Sequence, residues 1–162
     1  TVVTKLLCMA LPDVAYFGRK DAQQLLVIRR LVADLNLPVR IEALPTVREP
    51  DGLAMSSRNA YLSAEERQAA AVLYRALQAA AAAIAAGERQ GAEVRRILRQ
   101  AVEREPLARL EYAEVVDAES FQPVATLAGR VVLPVAALIG KTRLIDNLQL
   151  AVGEQPAAGA AR

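Results

Sequence analysis

A chain of 162 residues, 54% of them hydrophobic, is long enough to bury a real core, and 20 basic against 18 acidic residues leave a formal charge of +2. Its lysines and arginines are scattered rather than gathered into a stripe, which argues against a nucleic-acid surface, and no apolar run is long or hydrophobic enough to span a bilayer. One cysteine and no histidine exclude a disulfide framework, an ordinary zinc site and the commonest general base near neutral pH, and make a reducing compartment, the cytoplasm, the default.

The opening run TVVTKLLCMAL reads as a helix with Val3, Leu6, Leu7 and Ala10 on one face, stopped by Pro12, and Cys8 within it reads as a buried, inert thiol. With no initiator methionine ahead of that helix, the chain is expected to begin mid-fold. DVAYF is a short continuous apolar run of the kind a buried parallel strand shows, and Gly18 ends it. From Asp21 to Leu35 the spacing of Leu25, Ile28, Leu31, Val32 and Leu35 predicts a helix, broken by Asn36 and Pro38. Val39, Ile41 and Ala43 then alternate with Arg40 and Glu42 as a strand closed by Pro45. Helix, strand, helix and strand with short links make half of a doubly wound sheet.

Residues 45–62 form a long loop rich in Pro, Gly, Ser and charge, a functional segment or a linker. Ser63 and Glu66 fit a capping box, so one helix should start there and run through the alanine-rich segment to Gly87. A second helix, about Ala92 to Arg104, turns Val94, Ile97, Leu98, Ala101 and Val102 inward and ends before Pro106. LEYAEVVD, RVVLPVAALI and TRLIDNLQL are strands expected to pair antiparallel, with Pro134 at an edge or a bulge. The tail from Gly153 to Arg162 has nothing to bury and is expected to be disordered. The fold class is therefore α/β: a partial Rossmann-like parallel sheet over residues 1–46, a phosphate loop and linker over 47–62, and a small α+β domain over 63–152 with helices and a three-stranded antiparallel sheet.

Two segments carry the chemistry, FGRKDAQQ from Phe17 to Gln24 and MSSRN from Met55 to Asn59. Gly18 lacks a Cβ, so a ligand can approach the backbone at a strand end. Asp21 can cap the next helix or accept hydrogen bonds from ribose hydroxyls, Lys20 can extend towards a phosphate, and Gln24 offers a donor and an acceptor one turn on. Ser56, Ser57 and Arg58 can clamp a polyphosphate through hydroxyls, amides and a guanidinium. Each segment alone also has a plain structural reading, with Asp21 as an N-cap, Lys20 and Gln24 as surface, and MSSRN as an ordinary loop. The pair together, where a sheet edge meets a second domain, favours a ligand cleft. For TRLIDN the structural reading is preferred, with Arg143 and Asp146 pairing or capping near the sheet end.

FGRKDAQQ followed by PTVREPDGLAMSSRN, with GKTRLIDN near the end, closely resembles the pantothenate synthetases, the pantoate–β-alanine ligases, over Thr1 to about Leu150. The resemblance implies a class I nucleotidyltransferase fold, in which MSSRN is the counterpart of the KMSKS loop of class I aminoacyl-tRNA synthetases. It implies ATP with Mg²⁺ as cofactor, and formation of pantoyl adenylate and pyrophosphate before the β-alanine amine displaces AMP. Gly18 and Asp21 would hold the ribose, with Lys20 near the phosphates; Gln24 would bond pantoate; the backbone at Val47 and Met55 would meet adenine; Ser56, Ser57 and Arg58 would bind the triphosphate. Lys20, Ser56, Ser57 and Arg58 are the expected catalytic group. Partners would be small molecules, with neither nucleic acid nor membrane, in a cytoplasmic homodimer. The family's HxGH segment has no counterpart here, so the chain is expected to be a C-terminal part that is not competent alone. A non-catalytic nucleotide-binding or interaction fragment and an RNA-handling synthetase relative are the alternatives.

Overall fold

A computed structural model describes residues 1–153. Its elements run α1 (Val2–Ala10), β1 (Val14–Gly18), α2 (Ala22–Asp34), β2 (Arg40–Leu44), α3 (Ala64–Ala70), α4 (Val72–Ala85), α5 (Gly91–Glu103), β3 (Ala108–Ala113), β4 (Val116–Asp117), β5 (Gly129–Ile139) and β6 (Thr142–Val152), with 3₁₀ turns at Arg19–Asp21 and Ser57–Tyr61. None of the helices among the described residues is long and apolar enough to cross a membrane. The tail expected to be disordered lies, beyond Gly153, outside the described residues.

β1 and β2 pair in parallel, from Val14 opposite Arg40 to Gly18 opposite Leu44, with α2 as the crossover that a parallel pair requires. The expected burial of this unit does not hold. Tyr16 is exposed on β1, α1 buries Leu7 but leaves Leu6 and Met9 in solvent, and Cys8 is an exposed thiol. A parallel sheet hides its side chains only when layers cover both faces. Two strands present too little surface to cover α1 as well as α2.

The second unit follows its local signals closely. Ser63 Oγ accepts from the Glu66 N–H while the Glu66 carboxylate accepts from the Ser63 N–H, the full capping box. The single helix expected beyond it is two, because Ala71 (ψ −12°) tightens the turn between α3 and α4. α4 closes on Gly87 at φ 108°, with the Glu88 N–H donating to the Ala83 carbonyl across the end. Leu73 and Leu77 of α4 and Val94, Leu98 and Val102 of α5 are buried against Leu133, Val135 and Ile139 of β5. Each such side chain contributes about 1.5–3 kcal/mol by leaving water.

β5 is the centre of the antiparallel sheet: β6 pairs along its whole length, while β3 and β4 share its other edge. The single strand expected for LEYAEVVD is therefore broken between β3 and β4, and the expected three strands are four. Pro134 sits in that central strand rather than at an edge or in a bulge of its own. The facing strand breaks opposite it, and the link there is the Glu114 N–H donating to the Pro134 carbonyl at 3.0 Å, a bond that needs no proline N–H. On the sheet face away from the helices, Val116 and Val132 pack on Ala22 of α2 and bind the two units together.

Candidate functional site

The segment after β1 leaves through an extended glycine with room around it. An added Cβ at Gly18 would meet nothing within 4 Å, and the 3₁₀ turn then swings Lys20 and Asp21 towards the second unit. Asp21 occupies the N-cap position of α2 yet makes no capping bond, so the plain reading of it as a helix cap fails and its half-exposed carboxylate is available. Lys20 Nζ lies 4.0 Å from Asp21 Oδ1. Lys20, Asp21 and Gln24 line a cleft of about 490 Å³ whose far wall is the antiparallel sheet, with Tyr112, Pro134, Arg143 and Asn147.

The long loop is folded, not slack. Arg48 and Ala54 form an antiparallel bridge, the Met55 N–H donates to the Val47 carbonyl at 2.9 Å, and the Glu49 N–H to the Leu53 carbonyl at 2.8 Å. This small hairpin hands the chain to the 3₁₀ turn at Ser57–Tyr61, where Ser56 Oγ accepts from the Arg58 N–H at 3.3 Å. Ser56, Arg58 and Asn59 then line a gap of about 10 Å³ together with Lys20 and Asp146, and Asn59 Oδ1 is buried without a hydrogen-bond partner among the described residues. An acceptor left unsatisfied favours a nearby donor such as an ammonium.

Lys20 is thus common to both spaces, as are Arg143, Ile145 and Asp146 of the antiparallel sheet, and the two sequence segments border adjoining spaces. Gly18, Val47, Met55 and Ser57 line neither space; Val47 and Met55 sit side by side on an exposed rim.

A polar network that the sequence did not disclose supports both segments. Arg48 donates to Asp146 through both terminal nitrogens, at 2.6 and 3.0 Å, and to the Gly52 carbonyl at 2.9 Å, and its guanidinium lies 4.2 Å over the Tyr74 ring. The Asn147 side chain donates to the carbonyls of Arg19 and Lys20. Arg143 and Asp146 do not pair with each other: Arg143 bonds Glu111 at 2.7 Å, and Asp146 belongs to Arg48. Side chains alternate along a strand, so Arg143 leaves on the opposite face of β6 from Leu144 and Asp146. That alternation was the available signal, since Asp146 falls in the same register as Leu144, Leu148 and Val152.

Asp51, at the hairpin tip, accepts from Arg67 at 2.6 and 3.0 Å and from the Leu53 N–H. The Arg67 guanidinium holds the Asp51 carboxyl below its ordinary value, against the opposing effect of burial, with the Leu53 amide adding to the lowering. A carboxylate with a depressed folded-state pKa stabilises above its unfolded value and loses that contribution as pH falls through the folded one. Acid unfolding monitored from pH 5 down to pH 2 should therefore be steeper for the wild type than for Asp51→Asn. The pair is partly exposed, which limits the difference to about 1 kcal/mol; parallel curves would show that the pair contributes nothing.

Comparison with known proteins gives the chain a family. The family model for pantoate-beta-alanine ligase matches residues 1–149. The pantothenate synthetase of Heliobacterium modesticaldum is 57% identical over 152 residues, which cover 94% of this chain and 54% of that protein. A crystal structure of pantothenate synthetase from Thermus thermophilus superposes with a TM-score of 0.89 at 45% identity, over 95% of this chain and 55% of that one. The pantoate-beta-alanine ligase of Francisella tularensis, solved with beta-gamma ATP and beta-alanine, gives a TM-score of 0.60 at 32% identity over 91% of this chain and 47% of that one. The chain spans about half the length of the curated relatives it matches. Sequence, fold and the match across nearly the whole described chain converge, and the protein belongs to the pantoate-beta-alanine ligase family.

Proposed function

We propose that this chain supplies the ribose-, pantoate- and phosphate-facing side of an adenylating site that joins pantoate to β-alanine with ATP. Lys20 carries the proposal, because it borders both the cleft beside Asp21 and Gln24 and the gap beside Ser56 and Arg58. In this reading Gly18 and Asp21 hold the ribose, the backbone of Val47 and Met55 meets adenine, Gln24 bonds pantoate, and Lys20, Ser56, Ser57 and Arg58 hold the polyphosphate. A pantoate carboxylate oxygen attacks the α-phosphorus and the bond to pyrophosphate breaks. The amine of β-alanine then attacks the acyl carbon, loses a proton, and AMP leaves with the electron pair of the broken acyl–oxygen bond.

The first step needs no general base, since the nucleophile is already an anion, and a chain without histidine can serve it by positioning and charge alone. Mg²⁺ would arrive on the nucleotide and neutralise phosphate charge, since among the described residues no group of three acidic or thiol side chains is placed to hold a resident ion. The reading carries with it small-molecule partners, a cytoplasmic setting and homodimeric assembly.

MgATP titration of the chain, followed by backbone amide signals, tests the site. Shifts should concentrate at Gly18, Asp21, Val47 and Met55 to Arg58. Lys20→Ala and Arg58→Ala should each weaken binding by about ten- to a hundred-fold, the worth of a charge-assisted contact. Shifts confined to α4 and α5, or unchanged affinity in both variants, would remove the proposal.

A further inference from the structure

Asp146 and Asn147 are the buried polar side chains among the described residues, and neither belongs to the proposed ligand contacts. Neighbours on a strand point to opposite faces, so this dipeptide of β6 reaches into both units at once.

On one face the Asn147 amide donates to the Arg19 carbonyl at 2.9 Å and to the Lys20 carbonyl at 2.7 Å. Those carbonyls belong to the two peptide planes that flank the Lys20 Cα, and fixing both planes fixes the direction in which the Lys20 side chain leaves the backbone. On the other face Asp146 receives both Arg48 nitrogens and the Asn147 N–H. Arg48 passes that restraint on through the Gly52 carbonyl and through its bridge to Ala54, the residue just ahead of Met55 and Ser56. Both donors of the Asn147 amide and both oxygens of Asp146 are engaged, so the network is satisfied and stiff.

We propose that Asp146 and Asn147 are positioning residues that set the spacing between Lys20–Asp21 and Ser56–Arg58. This rests on the reading of those segments as the nucleotide site. The closing strand of the C-terminal unit thereby acts as the ruler of a cleft whose proposed ligand contacts all lie before residue 60.

Amide hydrogen exchange and nucleotide affinity on the full 162-residue chain test this separately. Asn147→Ala should raise exchange at Asp21 and Ala22, and Arg48→Met at Met55 to Asn59, about tenfold more than either variant raises it across α4 and α5, whose change reads the loss of global stability. Each single variant should bind the non-hydrolysable β,γ-imido analogue of ATP about tenfold more weakly. The double variant should be hardly worse than either single, because a spacing is lost once; independent structural roles would multiply to about a hundredfold. Asn147→Asp, with the same volume but a carboxylate facing the two carbonyls, should repeat the Asn147→Ala pattern and serves if that variant fails to fold. Exchange rising by the same factor at the two segments as across α4 and α5, or unchanged at both segments, overturns the proposal. A wild type that does not bind the analogue overturns the nucleotide reading instead, and the exchange pattern then decides the positioning role by itself.

Discussion

Replacing Gly52 by alanine should cost about 2–4 kcal/mol, the sum of a strained backbone and an overpacked contact. Gly52 sits at φ 91° at the hairpin tip, and an added Cβ would fall 1.9 Å from Tyr74 Cδ1 and 2.5 Å from Cε1. The ring has little freedom to withdraw, because its face carries the Arg48 guanidinium, and Arg48 is held at the same time by Asp146 and by the Gly52 carbonyl. Any shift of Tyr74 therefore disturbs the ion pair as well. Gly18 is the control: its φ is −74° and open space surrounds it, so Gly18→Ala should change stability by less than about 0.5 kcal/mol. Urea unfolding of the three proteins reads both effects. A loss below about 1 kcal/mol for Gly52→Ala would mean that the ring moves freely and that the Arg48 stack restrains nothing.

Local chemistry was legible in the sequence, and long-range pairing was not. The Ser63–Glu66 capping box, the Gly87 stop and the period of α5 depend on residues within a turn or two of each other, and each appears where expected. The motif segments were visible for the same reason, since a strand, a glycine and a helix start are neighbours in the chain. The network between them joins residues 98 and 128 positions apart, and no period or spacing encodes such a partner. The same limit explains Pro134. Its ring excludes one ladder bond, and the sequence suggests that the proline strand gives way, whereas in the fold the opposing strand breaks between β3 and β4. Cys8 and Leu6 were misread for a complementary reason. Periodicity identifies the apolar face of α1 but says nothing of what covers it, and among the described residues only Leu7 of that helix is buried.

Asp146→Leu should cost about 3–5 kcal/mol, the penalty for leaving one member of a buried ion pair without its partner. The Asp146 side chain is 2% exposed and that of Arg48 16%, so Arg48 has only a narrow path to water, and the Tyr74 face cannot replace two charge-assisted hydrogen bonds. Adding Arg48→Met to Asp146→Leu should restore stability to within about 1 kcal/mol of the wild type, because an apolar pair of similar volume meets no desolvation penalty. If the double variant is that stable, the ion pair is not retained for stability, since a hydrophobic pair would hold the fold as well. What an apolar pair cannot reproduce is direction. Leucine and methionine slide past one another, while a bidentate guanidinium–carboxylate contact fixes both the distance and the direction of β6 from the hairpin that leads to Ser56. Thermal and urea unfolding of the single and double variants, set beside their nucleotide affinities, separates the two roles: stability should return in the double variant and affinity should not. A double variant as unstable as Asp146→Leu alone would mean that the pair holds the fold, and that the spacing of the cleft is a by-product of it.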